Sequence, residues 1–120
     1  MTGESELKVL SLDTALELMG GMELFTEIAG MLLAEMPELM DEIHTHAASG
    51  DLAELSKTAH RIKGNFGVIA AEQAQTAAKD LEYASRDGDR STAEAALVEL
   101  EAAIELVVPE LQRLIVDPAA

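Results

Sequence analysis

Apolar residues recur along this chain at intervals of three and four, and that spacing decides what it can fold into. In "MELFTEIAGMLLAEMPELMDEIHTHAAS" they fall at positions 24, 25, 28, 32, 36, 39, 40 and 43, a stripe along one helix face. After Asp51 the pattern continues through Leu52, Leu55, Ala59, Ile62 and Phe66. A segment from about Ala71 to Arg86 places Ala74, Ala78, Leu81 and Ala84 or Ser85 on one face. The last stripe is Leu97, Leu100, Ile104, Val107 or Val108, Leu111, Leu114 and Ile115. No stretch alternates with the period of two that a half-buried strand needs, and no internal repeat is present. Three or four long helices with one apolar face each, joined by short turns, bury those faces most simply as an all-α antiparallel bundle.

The boundaries follow from caps and breakers. Gly20 and Gly21 stop a short helix in "LDTALELMGG", and Gly50 stops the next. Asp51-Leu52-Ala53-Glu54 approximates a capping box for the helix that runs to Phe66 or Gly67. Gly88 in "RDGDR" supplies a stop, and Ser91-Thr92-Ala93-Glu94 is a capping box for the last helix. Pro37 predicts either a kink or a new helix with proline in its first turn, and Pro109 a second kink. Residues 1–10 read as a tail, 11–116 as the bundle and 117–120 as a C-terminal tail.

The 120 residues suit one domain, and 48% apolar with only 2% aromatic content predicts a core of Leu, Ile, Val, Met and Ala. Met19, Met22, Met31, Met36 and Met40 are read mainly as core filling. A net charge of −15 argues against nucleic acid and against anionic membrane surfaces, and favours a partner with a basic rim. With no cysteine there is no disulfide, thiolate metal site or Cys nucleophile. "MTGESELKVL" is not a signal peptide and no apolar run approaches the ~20 residues of a bilayer span, so a soluble cytoplasmic protein without membrane insertion is expected. His44 and His46, two apart, point to different sides of a helix and are read as solvated, with no metal site expected. Acidic clusters such as Asp41-Glu42 lack the organised acid and base of a catalytic carboxylate pair.

One stretch departs from this pattern. "TAHRIKGNFG" and its flank gather Lys57, Arg61 and Lys63 around His60 in an otherwise acidic chain. His60 follows Ala59 of the apolar stripe and is turned about 100° from it, onto an exposed or half-exposed flank. Its helical neighbours are Ser56 and Lys57 before it, Lys63 and Gly64 after it, with Gly67 one turn further on. A glycine within a helix costs roughly 1 kcal/mol against alanine. At Gly64 that cost is explained by clearance beside the ring, whereas Gly67 also fits a helix end. An imidazole is largely neutral near pH 7 and therefore nucleophilic. Lys63, with Lys57 from the other side, would offset the charge of a phosphoryl group received there. Arg86, at the end of the following helix, is read equally as a phosphoryl or partner contact and as a charge complementing the helix dipole.

These residues resemble the histidine-containing phosphotransfer (HPt) domains of two-component relays, in Ala59-His60, Lys63-Gly64, Gly67 and Ile69, and Leu81-Glu82 before "RDGD". Weaker similarity covers about residues 11–115. The resemblance implies a four-helix bundle with a short extra N-terminal helix. It implies His60 as the phospho-accepting residue, Lys63 as its support and Gly64 as the small residue that leaves room. It also implies no kinase activity and no cofactor, Mg²⁺ belonging to the partner. The partners would be response-regulator receiver domains and a hybrid sensor histidine kinase. Docking is expected on apolar residues around His60 with a charged rim, Arg61 and Gly67 being among the partner contacts, in a transient complex of a monomer. Asn65 and Phe66 stand where small residues are frequent, Ala70 where Gly is common, and Met22 where Asp is common. A kinase dimerisation domain is set aside because Arg61 stands where an acidic residue normally follows the histidine. The alternative function is a helical docking module that binds a receiver or kinase without accepting phosphate.

Overall fold

The computed structural model describes residues 7–116, which form five helices: α1 (Leu12–Met19), α2 (Met22–Ser49), α3 (Leu52–Val68), α4 (Glu72–Arg86) and α5 (Arg90–Val116). The turns are short, so consecutive long helices lie side by side. α3 packs on α2 and α4, α4 on α5, and α5 on α2, closing a ring of four, while α1 rests on α2 and α3.

Local chemistry places each end. Asp51 accepts the Glu54 N–H on Oδ1 at 3.2 Å, satisfying one of the amides that the first turn of α3 leaves unpaired. Glu54 does not complete the box, because its carboxylate pairs with Lys57 at 3.1 Å. α5 starts slightly earlier than Ser91 predicts. Its cap is Asp89, which accepts both the N–H and the hydroxyl of Thr92, at 3.1 and 2.7 Å. An ionised side chain at this helix end gains from the dipole as well as from the bonds, which a serine cannot match. Those bonds hold the Asp89 carboxyl below its ordinary value. Asp89→Ala is expected to lower the melting temperature by roughly 3–6 °C, and Asp89→Asn by less, as read by thermal circular dichroism.

At the other end of α3, Ala71 N–H reaches the Phe66 carbonyl at 2.9 Å and Ala70 N–H that of Gly67 at 3.1 Å. This closing motif needs a left-handed residue, and Ala70 supplies it at φ +58°. Glycine would enter that region without strain, but alanine costs about 1 kcal/mol there. In return the Ala70 methyl lies within the core, 6% exposed.

Pro37 neither starts nor breaks a helix: α2 runs through it, and α5 through Pro109. Loss of one amide and a ring clash costs about 3 kcal/mol. Buried Leu32, Met36, Leu39 and Ile43 on both sides of Pro37 hold the segment to the bundle and override that preference. The core is otherwise as composition predicts, with Phe25 and Phe66 its two aromatics and nearly half of its positions alanine. Met36 is buried, whereas Met31 is 59% exposed and fills no core gap. On α4 the inner face is Ala74, Ala77, Ala78, Leu81 and Ala84, and such small side chains let α3 and α4 approach closely.

Of the stretch read as an N-terminal tail, residues 7–10 are described and engage the start of α4. Lys8 N–H donates to the Glu72 carboxylate, while Gln73 donates to the carbonyls of Lys8 and Leu7. The rest of that tail and the C-terminal one lie outside the described residues. Among the described residues no helix is long and apolar enough to cross a membrane.

Candidate functional site

His60 projects from the middle of α3 with 64% of its side chain exposed, one residue past the buried Ala59. Its Nδ1 lies 2.9 Å from Oε2 of Glu82 on α4. The Glu82 residue is only 7% exposed, and its other oxygen, Oε1, lies 2.9 Å from the Lys63 ammonium. A histidine and a lysine three residues apart on α3 thus converge on one buried carboxylate of α4. The register that allows this is antiparallel: Ser56 reaches the Glu82 carbonyl at 3.2 Å, and Gly67 lies against Gln75.

The charge state follows from these contacts. Burial pushes the Glu82 carboxyl up, but hydrogen bonds from Lys63 and His60, with the charges behind them, outweigh it and hold Glu82 below its ordinary 4.5. A carboxylate only accepts, so the imidazole must donate from Nδ1. Nε2 is then the ring nitrogen turned away from Glu82. Because the folded value of Glu82 lies below the unfolded one, its contribution to stability is present above about pH 4.5 and disappears as pH falls through the lower folded value. Wild type is therefore expected to lose melting temperature in mild acid more steeply than Glu82→Gln, a difference that a pair of thermal titrations measures.

Gly64, one turn beyond His60, opens onto empty space: a Cβ there would meet nothing within 4 Å. Packing does not require glycine at this position. Gly64→Leu is expected to raise helix stability by about 0.5–1 kcal/mol. It is also expected to slow chemistry at His60 by more than tenfold, because the leucine crowds the face from which a reactant reaches Nε2. Melting curves and transfer rates on the same variant test both signs.

The remaining sequence candidates are placed as follows. Gly67 serves the contact with α4, where an added Cβ would lie 2.7 Å from Nε2 of Gln75. Arg61 reaches across to Glu42 of α2 at 3.4 Å, and Lys57, 73% exposed, is paired with Glu54. The Arg86 guanidinium lies over the Tyr83 ring, 4.6 Å from its centroid, with the Lys63 ammonium 5.7 Å from the same ring. Lys63 alone among these cations shares the histidine's partner. Around His60 the expected apolar collar is thin: the exposed large apolar residues of α3 and α4 are Val68, two turns away, and Tyr83. Phe66, 1% exposed, belongs to the core and not to a docking surface. His44 bonds to Glu101 and ties α2 to α5 away from the site.

Glu82 is the member of this cluster that sequence reasoning left without a role. It lies 22 residues from His60, and "DLEYASR" offers only a charged residue next to the apolar stripe. The available signal was its place beside Leu81 on the inner face of α4.

Residues 27–110 match the family described as "Hpt domain". The fold is also similar to the crystal structure of the HPT domain of a sensor hybrid histidine kinase from Shewanella. That similarity has a TM-score of 0.84 and 23% identity, covering 95% of this chain and 99% of the other. No curated protein matches the chain. The match spans well over half of the sequence and contains the helix with His60, its partner Glu82 and the turn between them, so the chain belongs to the Hpt domain family, the phosphocarrier modules of histidine phosphorelays.

Proposed function

We propose that His60 is the phosphoryl carrier: Nε2 accepts a phosphoryl group from an aspartyl phosphate of a receiver domain and gives it to the aspartate of another. The observation that carries this reading is the Nδ1 contact with Glu82, which leaves Nε2 as the exposed nucleophile. Lys63 supports the phosphoryl group, and Gly64 leaves room for the partner's reacting side chain. The partners are response-regulator receivers and a hybrid sensor kinase, and the chain acts as a cytoplasmic monomer without autokinase activity. It needs no cofactor of its own, the Mg²⁺ being supplied on the receiver.

Charge distribution supports the choice of face. Five of the eight Lys and Arg residues, Lys57, Arg61, Lys63, Lys79 and Arg86, lie on α3 and α4, whereas α2 has six carboxylates and neither Lys nor Arg. The side that bears His60 therefore presents less negative potential to an aspartyl phosphate than the α2 side does. Lys57 and Arg86, each about one turn from the His60–Glu82 pair and, in antiparallel helices, both toward the same end of it, add positive charge to one edge of this face.

The test is transfer from a radiolabelled phospho-receiver to the purified protein, followed by mapping of the label. Acid-labile, alkali-stable label on His60 is the expected result. Binding of the receiver without any label would instead identify a docking module. Sedimentation is expected to show a monomer, and a stable dimer would overturn that part of the reading.

A further inference from the structure

Glu82 has two obligations, and a phosphoryl group on His60 would disturb one of them. Oε2 holds Nδ1 of the ring, and Oε1 holds the ammonium of Lys63. Apart from that ion pair Oε1 has no partner among the described residues, and the residue is 7% exposed. Lys63, the cation expected to support a phosphoryl group, is thus already neutralised in the resting protein. It cannot turn fully to a new dianion without stranding a buried carboxylate oxygen, which is costly.

We infer that Glu82 competes with the phosphoryl group for the Lys63 ammonium, and that this competition keeps the phosphorylated histidine a ready donor instead of a stable store. The inference rests on the phosphotransfer reading above. In uptake, the Nε2 lone pair forms an N–P bond while the P–O bond of the aspartyl phosphate breaks, its electron pair remaining on the aspartate carboxylate. In return, the N–P bond breaks with its pair going back to Nε2, as a carboxylate oxygen of the receiving aspartate bonds to phosphorus. The Nδ1 proton stays against Glu82 throughout, so the ring departs as neutral imidazole. A phosphoryl group held by a shared lysine sits higher in free energy than one held by a free lysine, and departs more easily.

Glutamine at position 82 separates the two obligations. Its amide oxygen still accepts from Nδ1, but a neutral group has only a weak claim on Lys63. Wild type, Glu82→Gln, Lys63→Met and the double variant would each be phosphorylated with phosphoramidate, and also equilibrated with a phospho-receiver. Glu82→Gln is expected to lengthen the phosphohistidine half-life, and to shift the equilibrium toward the histidine, by about tenfold, the scale of one charge-assisted hydrogen bond. In the Lys63→Met background the same change is expected to have less than about a twofold effect. A half-life for Glu82→Gln at or below wild type overturns the inference, as does a gain that persists without Lys63. If Glu82→Gln loses its helical signal, the nitrogen resonance of the Lys63 ammonium in native protein carries the test. A shift on phosphorylation supports competition, and no shift overturns it. Absence of phosphohistidine in wild type from either donor would instead overturn the phosphotransfer reading itself.

Discussion

His60→Gln is expected to take up no phosphoryl group from any donor while keeping its helical content and its melting temperature. The loss is expected to be complete because, among the described residues, no second imidazole lies at the site. Lys63 is bound as an ammonium to Glu82, and His44 and His46 sit on α2, His44 being tied to Glu101. The fold is expected to survive because 64% of the His60 side chain lies in solvent. Glutamine is also a slightly better helix former than histidine, and its amide can still donate to Glu82. A stability change within about 0.5 kcal/mol is anticipated. Transfer assays and thermal denaturation on the same preparation check both halves, and residual label on the variant would point to a second acceptor.

Phe66→Ala is expected to produce the largest loss of stability in the molecule, about 3–5 kcal/mol, or a fall in melting temperature on the order of 10–20 °C. Phe66 is 1% exposed at the end of α3, in a core where nearly half of the positions are alanine. Alanine-lined helices on fixed backbones cannot collapse into the space of a lost phenyl ring, so the cavity term remains. The same ring anchors the last turn of α3, whose carbonyl at Phe66 receives the Ala71 amide. Denaturant unfolding measures the loss. A change below about 1 kcal/mol would mean that neighbouring side chains move in to fill the site.

Much of the molecule is legible in the order of its residues. A spacing of three and four is enough to predict the helices, because a one-sided apolar stripe has to be buried somewhere. Leu55, Ala59, Ile62 and Phe66 on α3, and Leu100, Val107, Leu111 and Leu114 on α5, are buried where those stripes place them. The turns at Gly20, Gly50 and Gly88 follow from left-handed backbone that glycine enters without strain. Errors arose where two local signals competed. At the start of α5, Asp89 prevails over Ser91 because a carboxylate caps with charge as well as with a hydrogen bond. At Pro37, of a kink or a new helix, the new helix does not form, because burial on both sides keeps α2 continuous.

The sequence by itself determined the class of fold, the helix that bears His60, and the exposure of that ring beside Lys63 and Gly64, since all of these follow from the pitch of a single helix. The tertiary structure alone decided what lies against Nδ1, which cation is bound near the ring and which are occupied elsewhere. Those contacts depend on the register between α3 and α4, set by the packing of Ala74, Ala77 and Ala78 and by the left-handed turn at Ala70. Glu82 lies beside its inward-facing stripe, where a charged residue carries no local sign of its partner. Only when α4 folds back does its carboxylate meet a histidine and a lysine at once, and those two bonds outweigh its burial and hold it ionised.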